Sequence, residues 1–209
     1  MATNDIEAGQ SRSQSDALRG RASGVVVGSV IAFGWAVYAA SSLASTSRYL
    51  LIAVAATLSS SLFIAGAAMM RLARLLPSAT AGQVLARRRI WRMFWLNLVA
   101  EIILLNVAVS LLASPDRRAF WIPAISVVVG LHFWPMAVFF RVRSYWFVGG
   151  AMIAIAAVVS FVVINHPDST SAAVHGEGLG NALVLWIALA TGAAFALRQR
   201  REHSAIDGE

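Results

Sequence analysis

The sequence predicts an all-α, polytopic membrane bundle of six transmembrane helices with both termini cytoplasmic. Three observations carry that prediction. Six apolar runs of about 20 residues fill most of the 209-residue chain, and at about 1.5 Å of rise per residue each is long enough to cross the hydrocarbon layer. Hydrophobic residues make up 58% of the chain and charged residues 13%, which leaves no stretch able to form a separate soluble domain of ordinary size. The arginines divide unequally between alternate gaps.

The first 21 residues are rich in Ser, Asp, Gln and Gly, with too little apolar surface to pack, and are expected to be a disordered cytoplasmic tail. The first run, Gly24 to Leu43, carries Gly24, Gly28, Ala32, Ala36 and Ala40 at four-residue spacing, a face stripped of bulk on which another helix can approach closely. Ser42-Leu43-Ala44 resembles a signal-peptide cleavage site, but the length of the run and its stripe favour a retained anchor. The second run spans Leu50 to Met70, with Ser59, Ser60 and Ser61 at its centre. Serines so placed usually bond back to their own helix.

A basic cytoplasmic loop, residues 71–93, follows. Pro77 and Ser78 should end the preceding helix, and Gln83 to Arg92 should run helically into the third span. The Arg87 to Arg89 triplet beside Ile90 and Trp91 suits anionic headgroups, each surface Arg adding about 1 kcal/mol of attraction. The remaining runs are Phe94 to Ala113, Phe120 to Phe140, Tyr145 to Asn165 and Leu179 to Leu197, with a cytoplasmic tail over 199–209. Trp91, Trp95, Trp121 and Trp146 flank span ends as interfacial anchors. Trp35, Trp134 and Trp186 lie deeper.

Orientation follows from charge. With the N-terminus inside, one side holds Arg12, Arg19, Arg21, Arg71, Arg74, Arg87, Arg88, Arg89, Arg92, Arg141, Arg143, Arg198, Arg200 and Arg201. The other side holds only Arg48, Arg117 and Arg118, so the division is fourteen against three, a strong positive-inside signal. A net charge of +7 spread over loops beside apolar spans reads as membrane topology rather than nucleic-acid binding. The expected setting is the inner membrane of a bacterial cell, the all-Arg, Ala-rich composition suggesting a GC-rich genome.

Polar residues inside the spans are the candidates for function. Glu101 is the only acid in any of the six runs. An ionised side chain at that depth costs at least about 3 kcal/mol, so Glu101 should be protonated, paired or turned to a water-filled cavity. His132 lies at a similar depth in the fourth run, and only Ser114 to Arg118 separates the two runs. They should form an antiparallel pair in which Glu101 and His132 can hydrogen-bond. Asn97 precedes Glu101 by four residues on the same helix face, and Pro135 follows His132 by three, removing a backbone donor. Glu101, His132, Asn97 and Pro135 are therefore the expected proton or ligand site, against the plainer reading of a kink and a packing bond.

The segment after the fifth run offers His166, Asp168, His175 and Glu177, donors that a divalent metal accepts. Their spacing matches no motif with a known mechanism, so a polar surface loop is the preferred reading and no metal or other cofactor is expected. The chain has no Cys, which excludes disulfides, thiolate metal sites and cysteine nucleophiles. One Glu and one His across the spans are too few for an intramembrane enzyme, and a single buried His is too few for a b-type haem.

The segment Gly130-Leu131-His132-Phe133-Trp134-Pro135-Met136-Ala137, followed by Arg141, resembles a G-L-H-F-x-P-x-A pattern of uncharacterised six-span bacterial membrane protein families, domains of unknown function. The resemblance covers about eight residues and the span count; it implies the architecture and points at His132 without supplying an activity. Two classes of function follow. One is a small transporter or proton-linked membrane protein using the Glu101 and His132 pair. The other is a structural or regulatory membrane subunit without transport or catalytic activity, making contacts through the stripe of the first helix and through Ala188, Gly192 and Ala196 of the sixth. The expected partners are the bilayer, anionic headgroups at the cytoplasmic face, and a second copy or another membrane protein.

Overall fold

The computed structural model describes residues 2–74, 81–140 and 142–206. The helices are α1 (Ala2–Ala40), α2 (Ser45–Arg74), α3 (Ala81–Leu111), α4 (Trp121–Phe140), α5 (Ser144–Asn165) and α6 (Thr170–Ile206), with short 3-10 turns at Pro115–Phe120 and Pro167–Ser169. Among the described residues each of the six helices contains a segment long and apolar enough to cross a membrane. The protein is an all-α, multi-pass membrane helix bundle.

Short, well-bonded turns fix the antiparallel neighbours. The α1 end is closed by the Ser41 hydroxyl donating to the Tyr38 carbonyl at 2.7 Å, and by the Arg48 guanidinium donating to the Ser41 and Leu43 carbonyls at 3.0 Å each. These are carbonyls that a helix end leaves without intrahelical donors. Arg48 therefore has a local structural task on the arginine-poor side. Between α3 and α4 the Trp121 indole N–H donates to the Leu112 carbonyl at 2.7 Å. Trp121 is thus tied to the connection itself, where headgroup contact had been expected for its N–H.

Neighbour to neighbour, the bundle runs α2, α1, α6, α5, α4, α3. Lipid is as apolar as leucine, so close approach and dispersion hold such helices together more than water exclusion does. The residues fit that rule. Ala32, Ala36, Ala55, Val148, Met152, Ala182, Leu185 and Trp186 form the main buried cluster from α1, α2, α5 and α6. A second cluster joins Ala22, Val25, Met69, Ala193 and Ala196 towards the chain termini. The α1 stripe is consumed here: Ala32, Ala36 and Ala40 are fully buried, and a Cβ added at Gly28 would lie 2.8 Å from the Leu189 side chain of α6. By contrast no residue in the apolar window of α3 is buried, and its packing is onto α4.

Two helices reach beyond the apolar runs. α1 begins at Ala2, within the segment expected to be a tail, and continues into the first span. A helix already nucleated by the span extends one hydrogen bond at a time, and the segment contains no proline to stop it. The outer loop expected between Asn165 and Leu179 is mostly helix, because α6 begins at Thr170. The expected helix stop at Pro77 and Ser78, Arg141, and the last three residues of the C-terminal tail lie outside the described residues. Gln83 to Arg92 runs helically into the third span within α3.

Candidate functional site

Three polar side chains meet on the seam between α3 and α4. Asn97 and Glu101 lie one turn apart on α3, so both side chains reach the same part of the facing helix. His132 of α4 answers them: its Nδ1 is 3.0 Å from Glu101 Oε2 and 2.9 Å from Asn97 Nδ2. The Asn97 amide also donates to the His132 backbone carbonyl at 3.2 Å. The His132 and Glu101 side chains retain 12% and 15% of their exposure, so the contact is largely shielded by protein.

This geometry accommodates two placements of one proton. With Nε2 protonated, Nδ1 is an acceptor whose one lone pair takes either the O–H of a neutral Glu101 carboxyl or the Asn97 amide. With the proton moved to Nδ1, the imidazolium donates to a Glu101 carboxylate, and Asn97 keeps its bond to the His132 carbonyl. Glu101 and His132 stay partners in both states, while Asn97 exchanges its bond to Nδ1 for its bond to the His132 carbonyl alone.

Pro135 stands one turn further along α4, inside the helix. Its missing N–H deprives the Leu131 carbonyl, next to His132, of its usual helical donor. The His132 ring meets Phe133 edge-on at 6.0 Å, and Phe133 in turn packs at 5.5 Å against Tyr145 of α5. The serines of α2 do not join this group. Ser61 bonds back to the Thr57 carbonyl at 2.8 Å, and buried Ser59 accepts the Trp186 indole N–H at 3.0 Å across the α2–α6 contact.

The four candidate donors after the fifth span do not converge. His175 and Glu177 both fall on α6, and two residues apart on a helix point about 200° away from each other. His175 bonds to the Ser171 carbonyl at 2.6 Å and stacks on Tyr38 with ring centres 5.0 Å apart. His166 and Asp168 stay exposed at the turn. Among the described residues no group of three or more His, Cys, Asp or Glu is placed to hold a metal ion.

Glu177 turns inward, and sequence reasoning missed what it meets. It is a second acid within the apolar helices, with 1% of its surface exposed, beside fully buried Asn181 and Ser126. The signal that identifies it is the four-residue spacing from Glu177 to Asn181, which becomes visible once α6 is started at Thr170 instead of Leu179. No family model, curated protein or solved structure matches this chain.

Proposed function

We propose that this protein is a small proton-linked transporter of a bacterial inner membrane, in which Glu101 and His132 exchange a proton at the α3–α4 seam. The observation that carries the reading is the 3.0 Å contact between Glu101 Oε2 and His132 Nδ1 inside two apolar helices. Ionisable groups at that depth are costly and mark ion or substrate paths. An imidazole is the side chain best suited to take and release a proton near neutral pH. In this reading α3 moves against α4, because α4 supplies its packing, and the proton's position on the pair sets which arrangement is favoured. The excess of arginine on one set of connections supports a cytoplasmic position for both termini in this reading. A purely structural subunit is the competing reading: of the two stripes that motivate it, that of α1 is occupied inside the chain, whereas in α6 Ala196 is buried and Gly192 faces open space.

The test is an infrared titration of the carboxyl band in reconstituted protein, assigned with Glu101→Gln. The reading expects a band that exchanges with deuterium and shifts when His132 is replaced by Ala. A carboxyl that never exchanges and is indifferent to His132→Ala would leave the pair as a packing bond and overturn it.

A further inference from the structure

A second polar group lies deep in the bundle, away from the α3–α4 seam. Asn181 Nδ2 of α6 donates to the Ser126 hydroxyl of α4 at 2.7 Å, both residues being fully buried. Glu177, one turn before Asn181 on the same helix, has its carboxyl beside that hydroxyl. Neither the Glu177 carboxyl oxygens nor the Asn181 amide oxygen, all buried, has a well-formed hydrogen bond, and the Ser126 hydroxyl beside the carboxyl has one proton to give. Buried polar atoms are almost always matched, so oxygens that outnumber the donor beside them on neighbouring turns call for a positive group among them.

We infer that Glu177, Asn181 and Ser126 form a binding site for a single alkali-metal cation. The donor set is all oxygen, which selects hard cations over transition metals. It carries one formal charge, so a monovalent ion is neutralised, whereas a divalent ion would leave an uncompensated charge in a low-dielectric interior. From α1 the site faces Tyr38, whose ring lies against Gly178 so closely that a Cβ there would come within 2.9 Å of it. Tyr38 also stacks on His175. On another side Glu177 forms part of the wall of a cavity of about 330 Å³ between α5 and α6, otherwise lined by apolar side chains such as Ile155, Val158 and Val159. The site stands independently of proton exchange at Glu101.

The experiment is thermal unfolding of the full-length purified protein in sodium or potassium chloride, against choline chloride at equal ionic strength. A bound ion stabilises the folded state by an amount that sets in near Kd and then grows with the logarithm of ion concentration. The expected result is such a rise in Tm with one of the two alkali ions, lost in Glu177→Gln and retained in Glu101→Gln. Ser126→Ala keeps the charge and removes one oxygen, and should move the concentration at which the rise sets in upward about tenfold, which tests the site even if Glu177→Gln fails to fold. Equal Tm in sodium, potassium and choline, or an ion response unchanged in both Glu177→Gln and Ser126→Ala, would overturn the assignment.

Discussion

Gly130 of α4 and Gly149 of α5 face each other with almost nothing between them: a Cβ on Gly130 would sit 2.8 Å from the Gly149 carbonyl oxygen. The opposing atom is backbone, which cannot swing aside, so the two helices approach as closely as they do only because neither residue has a side chain.

Replacing either glycine with alanine should force α4 and α5 apart. The expected loss is about 1–3 kcal/mol, as for other overpacked sites. Gly192→Ala is the internal control, since a Cβ there meets nothing within 4 Å. Unfolding curves in mixed micelles should separate Gly130→Ala and Gly149→Ala from Gly192→Ala, and equal midpoints for all three would contradict the close approach.

The Trp186 to Ser59 bond ties α6 to α2 in the bundle interior. Trp186→Phe removes the donor together with part of the ring and should destabilise by about 1 kcal/mol or more. Ser59→Ala strands the indole N–H and should also destabilise. The double variant should lose less than the sum of the two single losses, and strict additivity would show that the bond contributes nothing.

Asn97 touches both the ring and the backbone of His132. Asn97→Leu should leave the bundle folded, at an expense of about 0.6–1.7 kcal/mol typical of hydrogen bonds between membrane helices. It should also shift the Glu101 carboxyl band, by less than His132→Ala does. A shift equal to or larger than that of His132→Ala would mean that Asn97, not His132, is the main partner of the carboxyl.

Arg48 lies on the exposed α1–α2 turn, where its two bonds to carbonyls are open to water. Arg48→Ala should therefore change overall stability by less than about 1 kcal/mol while loosening the turn. Amide exchange should accelerate at Leu43 and Arg48, whose N–H groups bond to Ala40 and Ala44, and stay unchanged in the cores of α1 and α2. Unchanged exchange at the turn would show that these two bonds do not hold it.

The architecture was largely legible in the sequence because apolar length is a strong signal and few alternatives bury so much of it. The pairing of Glu101 with His132 was legible for a similar reason: a short connection forces α3 and α4 together, and equal depths then bring the residues level. Glu177 was not. Gly176, Gly178 and Gly180 surround it, and glycine-rich polar sequence ordinarily reads as loop. Here Gly178 is what lets the helix pass Tyr38 and Gly180 lies against Ile155, so two of the residues that mimic a loop are packing residues. The start of α1 was hidden in the opposite sense, because a polar segment without a packing face gives no periodic signal even where it continues a helix.

The dependence of α3 on α4 bears on how the chain is made. Synthesis delivers α3 to the translocon before His132 exists, so a helix carrying Glu101 at the middle of its span, Trp91–Leu111, reaches the bilayer without the group that meets that carboxyl in the finished protein. Such a helix partitions poorly into lipid on its own. Entering lipid together with α4 as a hairpin lowers that cost, because Asn97, Glu101 and His132 can then meet one another instead of hydrocarbon. The polar seam thereby favours co-insertion of the two helices over insertion of α3 alone.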